Sequence, residues 1–327
     1  MGNLGLTWYI VRRVAWAGFV SVLILTVTFV LLAVTPNAQA AELQFQAAQG
    51  TGDAASAEQA FEQARGLDQS LWERYTDYMT NLATGNWGWS DTRSQPVVQA
   101  IMEAYPYTLM YTVPAILIST ILGLGIGLYS ATHRYTKLDY VGTFVAFFGL
   151  SIPNFWFGII LLLVFGVTLG WVPVLFDPTV PVFSWANVVQ LVLPVFVLTT
   201  GTIASEMRYA RAEALEYVRA EFVKTARAKG ADENRILLRH ILRPALVPLS
   251  TILVGDLLGL FLTASYLVEI VFGIPGLGRL SLDALLNQDT ALVLGTTLIP
   301  VFVAVIGNLL QDIAYTILDP RIDYGDR

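Results

Sequence analysis

Long runs of uncharged, mostly apolar residues set the rhythm of this chain. Ala15–Thr35, Ala104–Thr132, Tyr140–Phe176, Pro178–Ser205 and Thr290–Gln311 carry no charge, and Pro244–Phe272 carries only Asp256 and Glu269. A helix rising 1.5 Å per residue crosses about 30 Å of hydrocarbon in roughly 20 residues. Every one of the six runs is that long. The pattern predicts an all-α, polytopic membrane protein with six spanning helices near 12–35, 105–131, 139–169, 187–210, 244–270 and 290–316. The first run is longer than the apolar core of a signal peptide and is read as an anchor.

Composition sharpens this picture. The 327 residues are 55% hydrophobic and only 13% charged, too few charges to wet the surface of a soluble enzyme. The absence of cysteine excludes disulfides, thiolate nucleophiles and cysteine-held metals, and two histidines, His133 and His240, are too few for a histidine-rich site. No metal, cofactor or nucleic-acid partner is expected.

The basic residues give an orientation. Arg12 and Arg13 precede the first span, Arg134 and Lys137 follow the second, and Arg321 and Arg327 follow the sixth. Nine more, from Arg208 to Arg243, lie between the fourth and fifth spans. Fifteen of nineteen basic residues thus fall on one side, which the positive-inside rule assigns to the cytoplasm, with both termini there. The expected organisation is a cytoplasmic stub and first helix over 1–35, an external soluble insertion with short helices over 36–104, a five-helix core over 105–318 and a cytoplasmic tail over 319–327. The core includes a cytoplasmic loop at 211–243.

The external segment holds nine acidic and three basic residues. Ala54–Arg65 and Gln69–Leu82 have compositions that suit short helices, and Gly85-Asn86-Trp87-Gly88 reads as a turn. Trp72, Tyr75 and Tyr78 recur at helical spacing. Their face has two open roles, packing on the membrane helices or meeting a delivery protein.

In the basic loop, Val218–Lys229 lacks glycine and proline and predicts a helix, with Phe222, Val223 and Ala226 on one side. Gly230 ends it as a residue free to take positive φ, and Asp232 or Glu233 opens the next turn. Such a basic loop either faces anionic headgroups or docks a soluble partner. Asp256 and Glu269 are the sharpest polar candidates inside the spans, because ionisable groups in hydrocarbon are costly and face a protein or water-filled interior. Asp256 suits a pathway or a subunit seam, and Glu269 either shapes the adjacent loop or lines the pathway. Asn308 and Asp312, one turn apart, suit bonds to a neighbouring helix. Gly123 and Gly127 form a small-residue face for close packing, and Pro114, Pro153, Pro194 and Pro300 are candidate kinks.

Glu221-Phe-Val-Lys-Thr-Ala-Arg-Ala-Lys-Gly230, followed by Arg235-Ile-Leu-Leu-Arg-His-Ile-Leu-Arg-Pro244, resembles the membrane permeases of ATP-binding-cassette importers. The branch it is most similar to imports dipeptides, oligopeptides and nickel chelates. Tyr9-Ile-Val-Arg-Arg13, Leu67-Asp-Gln-Ser-Leu71, Gly85-Asn-Trp-Gly88, Ser151-Ile-Pro-Asn-Phe-Trp156, Leu169-Gly-Trp-Val-Pro173, Pro275-Gly-Leu-Gly278 and Asp319-Pro-Arg-Ile322 extend the resemblance along nearly the whole chain. Lys224, Thr225 and Ala226 stand where the general pattern has Glu-Ala-Ala before Gly230.

The resemblance implies a type I importer fold, in which Glu221, Phe222, Lys224, Thr225, Ala226, Arg227, Lys229 and Gly230 couple to an ATPase. It implies as partners a second homologous permease in a heterodimer, two cytoplasmic ATPase subunits, an external solute-binding protein and the lipid bilayer. No Gly-x-x-x-x-Gly-Lys-Ser/Thr loop occurs, so the energy is expected from those partners and the chain is not expected to be an enzyme. Two other classes remain open: a membrane-anchored solute receptor or scaffold without transport, and a self-contained secondary carrier.

Overall fold

The computed structural model describes residues 2–34, 45, 56, 68–246, 248–250 and 265–318. The fold is almost wholly helical. In chain order it comprises α1 (Gly2–Val34), α2 (Leu71–Ala83), a two-stranded hairpin of β1 (Trp89–Ser90) and β2 (Gln95–Pro96), α3 (Val97–Thr132), α4 (Lys137–Ser151) and α5 (Asn154–Leu161). After α5 the chain continues in wider π-helical turns over Leu162–Thr168. Then come α6 (Trp185–Val218), α7 (Glu221–Ala228), α8 (Ser265–Phe272), α9 (Leu277–Leu286) and α10 (Thr290–Leu318).

Among the described residues three helical stretches, Val14–Val34, Val97–Thr132 and Trp185–Val218, are long and apolar enough to cross a membrane, or four if the bent pair Lys137–Ser151 and Asn154–Thr168 is one span. Most of the expected fifth span, with Asp256, Gly255 and Gly259, falls in 251–264 and lies outside the described residues, as does most of the expected helix Ala54–Arg65.

Helix ends differ from the expected spans because absence of charge marks the membrane and not the helix. α3 begins at Val97, eight residues before the expected span, and takes Glu103 into its second turn. α6 continues to Val218 rather than stopping near 210, since Arg211–Val218 holds good helix formers and neither glycine nor proline. The third expected span is not one rod. Ile152, ahead of Pro153, is extended at φ −106° and ψ 126°, as the crowding of a following proline ring requires. α4 and α5 consequently meet at 102°. Pro106, Pro114, Pro194 and Pro300 lie inside continuous helices.

The core is the α3–α6 pair. Small residues recur every fourth position on α3 at Ala115, Ser119, Gly123, Gly127 and Ala131, and all of them are buried. Against them α6 sets Thr199, Ile203, Glu206, Met207, Ala210 and Ala214. A Cβ on Gly123 would stand 2.7 Å from the Glu206 Cβ, and one on Gly127 2.6 Å from the Met207 carbonyl oxygen. The helices approach to backbone contact, as small-residue faces permit in membranes. Gly125 between them meets nothing. Gly149 of α4 abuts the Thr200 carbonyl, and a Cβ on Gly201 would meet the Asn154 side chain at 2.8 Å. α1 is peripheral, resting Leu25 and Phe29 against Leu294 and Leu298 of α10.

Candidate functional site

The segment with the clearest recognition character is the corner at α7. Its last turn closes in a Schellman arrangement: the Ala231 N–H donates to the Ala226 carbonyl at 3.1 Å and the Gly230 N–H to Arg227 at 2.9 Å. Gly230 has φ +77°, the left-handed conformation this closure demands. Asp232 then caps the next turn by accepting from the Arg235 N–H. Arg227 bridges the corner through two 3.2 Å bonds to Glu233.

Only one side of α7 is anchored. Val223 and Ala226 are buried among Leu128 and Ala131 of α3, Ala214 of α6, and Ile236 and Ile241 of the return segment. Glu221, Phe222, Lys224, Thr225, Arg227, Lys229 and Gly230 are exposed. Phe222 therefore departs from the expected shared face with Val223 and Ala226: it is 48% exposed, its ring 6.4 Å from that of Tyr217. α7 thus presents an aromatic ring, a Glu221–Lys224 pair at 2.7 Å and further exposed polar groups on a helix whose other side is packed.

Glu269 belongs to a different place. It is fully buried at the end of α8, and its Oε1 accepts from Thr108 Oγ1 at 2.7 Å and Tyr111 Oη at 2.8 Å. Its Oε2 accepts from the Arg279 N–H at 2.7 Å. The carboxyl thereby caps the first turn of α9, whose N-cap is Gly276 and has no side-chain partner of its own. Thr108 adds a second tie by accepting from the Leu277 N–H at 2.8 Å. The glycines of Pro275-Gly-Leu-Gly278 follow from this packing: a Cβ on Gly276 would collide with the Glu269 carboxyl, and one on Gly278 would stand 2.6 Å from the Tyr266 Cα.

Tyr111 and Ala131 are 20 residues apart on α3, so the two sites lie about 30 Å apart along one rod. Asp256 lies outside the described residues; Asn308 and Asp312 stand on α10, their side chains outside the described set.

Three buried polar groups were not anticipated. Glu206 of α6 is 3% exposed and accepts from Ser119 and Thr120 of α3 at 3.3 Å each. Asp139 pairs with Arg211 at 3.0 Å, joining the start of α4 to the end of α6. Asp289 accepts from Ser90 Oγ at 2.7 Å and from the N–H groups of Thr92 and Leu292 at 3.0 Å each, fixing the hairpin to the start of α10. Glu206 follows directly after the charge-free Pro178–Ser205, and that position at the end of an apolar run was its only signal. Among the described residues no group of three His, Asp or Glu side chains is placed to hold a metal ion.

Long apolar helices packed through a small-residue face, with an exposed polar corner at one end, define a multi-pass α-helical membrane protein. The family described as the binding-protein-dependent transport system inner membrane component matches residues 123–324, and its N-terminal counterpart matches residues 6–112. The oligopeptide transport system permease protein AppB of Bacillus subtilis is 38% identical over 79% of this chain and 83% of its own length. The dipeptide transport system permease protein DppB of Lactococcus lactis is 31% identical over 96% of this chain and 98% of its own. Among solved structures, the inward-facing MetNI methionine ABC transporter superimposes with a TM-score of 0.54 at 17% identity, covering 68% of this chain and 97% of that one, a likeness of fold. The chain belongs to the binding-protein-dependent transport system inner membrane component family and is a membrane permease subunit.

Proposed function

We propose that this permease moves di- or oligopeptides inward and that α7 is the handle by which ATPase subunits drive it. The observation that carries the proposal is the mounting of α7. Val223 and Ala226 tie it to the ends of α3 and α6, while Glu221, Phe222, Lys224, Thr225 and Lys229 face outward. A short stiff helix of this kind moves as a body between packed states. In this reading the chain has six spans, both termini and α7 lie in the cytoplasm, and the segment ahead of α3 lies outside. The functional unit pairs this subunit with a second homologous permease, two ATPases and an external solute-binding protein. The peptide cargo is supported by the names of the relatives.

Deletion of Glu221–Gly230 is expected to leave a membrane-inserted chain that no longer co-purifies ATPase. A stable ATPase complex after that deletion would overturn the handle. Uptake of labelled di- and tripeptides by the reconstituted complex tests the cargo. ATP-dependent transport of another solute class with no peptide uptake would refute it.

A further inference from the structure

The structure places α2 beside the membrane helices rather than above them. Tyr75 Oη lies 2.7 Å from Thr26 Oγ1 of α1, and the rings of Tyr75 and Tyr78 lie 5.5 and 6.2 Å from that of Phe29. Thr26 and Phe29 precede Val34, the end of the apolar stretch of α1, by eight and five residues. At 1.5 Å per residue those contacts sit about 12 and 7 Å below that end. A tyrosine side chain spans part of that distance, so the α2 backbone lies near the depth of about 5–10 Å at which in-plane helices rest in a bilayer.

The sequence of α2 suits that position. Tyr75, Tyr78 and Leu82 cover α1. Trp72, Met79 and Ala83, spaced i, i+7 and i+11, form the adjoining flank, and Glu73, Asp77 and Thr80 lie on the far side. Trp72 is 72% exposed and Leu71 55% exposed. The expected single aromatic face is therefore split: two rings pack on α1 and the third is bare. The Arg74 guanidinium lies over the Phe29 ring at 6.0 Å. α1 itself is bare along the same stretch, with Val27, Val30 and Leu31 exposed by half or more. The apolar flank of α2 is thus continuous with the exposed apolar surface of α1.

We propose that α2 is a membrane-surface helix whose Trp72–Met79–Ala83 flank is seated in the acyl–headgroup boundary of the phospholipid leaflet at the hairpin end. The residues preceding the hairpin are then not a wholly soluble insertion. α2 pins the depth of α1, which otherwise rests on α10 through Leu25 and Phe29. The proposal is independent of the cargo.

The natural chain has no cysteine, so single labels report without background. Spin labels at Trp72→Cys and Asp77→Cys, in the intact transporter reconstituted into phosphatidylcholine–phosphatidylglycerol vesicles, are compared for accessibility to oxygen and to a water-soluble nickel chelate. Position 72 is expected to show an oxygen-to-nickel ratio at least threefold above that at position 77. A ratio at 72 no higher than at 77 overturns the proposal, since the flank would face water. Exclusion of both reagents from position 72 also overturns it, because a protein would then cover the flank. Both substitutions are at exposed positions, so neither removes a core contact.

Discussion

Replacing Glu269 tests the best-defined polar node in the molecule. Its carboxyl receives donors from three places: Thr108, Tyr111 and the Arg279 N–H, at 2.7, 2.8 and 2.7 Å. Glu269→Leu keeps the bulk and removes every acceptor. The Thr108 hydroxyl can turn to a carbonyl of its own helix, but the Tyr111 hydroxyl loses its carboxylate acceptor and the Arg279 N–H is fixed in the backbone. Each buried donor that loses its acceptor costs about 1–3 kcal/mol, so the leucine variant should lose about 2–6 kcal/mol. Glu269→Gln retains one acceptor oxygen and can give its amide protons to hydroxyls that also accept, so its loss should be about 1–3 kcal/mol. The assay is unfolding in a graded SDS–detergent titration followed by circular dichroism, with Tyr111→Phe closing a double-mutant cycle. Removing both partners leaves no tyrosine hydroxyl behind, so the double variant Tyr111→Phe/Glu269→Leu should lose less than the sum of the singles by at least about 1 kcal/mol. Strict additivity would refute the Tyr111–Glu269 bond, and a leucine variant as stable as the parent would refute the assignment of Glu269 as the cap of α9.

Gly230→Ala places a Cβ in open space but at φ +77°, so only backbone strain of about 1–2 kcal/mol is added; ATPase affinity should fall while membrane insertion, read by protease protection, is unchanged. Gly127→Leu must push α3 away from the Met207 carbonyl, which a Cβ at this position would meet at 2.6 Å. It should reduce the yield of folded chain in size-exclusion profiles far more than Gly125→Leu, which meets nothing. Asp289→Ala strands Ser90 and two N–H groups, and hydrogen exchange over 89–96 should rise while that of α6 stays constant. The Ser70 hydrogen bonds hold the Glu73 carboxyl below its ordinary value, so their support of the first turn of α2 is present above the unfolded carboxylate value and is lost as pH falls through the lower folded one. Protection at the first turn of α2, taken as exchange relative to the intrinsic rate at each pH, should fall on acidification in the parent and fall less in Ser70→Ala, which keeps only the backbone N–H donor to Glu73.

The geometry of the α7 corner was legible because its signals are local. Helix formers, a glycine at the left-handed position and an acidic cap follow one another within Glu221–Asp232. The turn at Gly85-Asn86-Trp87-Gly88 was legible for the same reason: Gly85 and Gly88 take φ of +81° and +85°. Contacts across the fold were not. Asp139 and Arg211 stand 72 residues apart and each reads as an ordinary loop charge until α4 and α6 bring them together. Glu206 falls inside the expected fourth span, just past the charge-free run that ends at Ser205, and only the packing of α6 on α3 turns it onto Ser119 and Thr120. Periodicity placed Trp72, Tyr75 and Tyr78 on one face, but steps of three residues drift around a helix of 3.6 per turn, and that drift leaves Trp72 bare.

The geometry of α3 says how a push at the corner could be felt at the far end. Its last turns hold the corner through Leu128 and Ala131, and its early turns hold Glu269 through Thr108 and Tyr111. Between them Gly123 and Gly127 bring it into backbone contact with α6. Compliance in a helix pair comes from long side chains that can change rotamer; on α3 the seam has little beyond glycine, alanine and serine. A close-packed seam of that kind resists shear and moves as one body. Pro106 and Pro114 lie at the Glu269 end of α3, so backbone weakness is concentrated where the helix meets the α8–α9 turn and not where it meets α7. In the proposed function, displacement of α7 is therefore expected to arrive at the bonds that join Thr108 and Tyr111 to Glu269 as a change in angle.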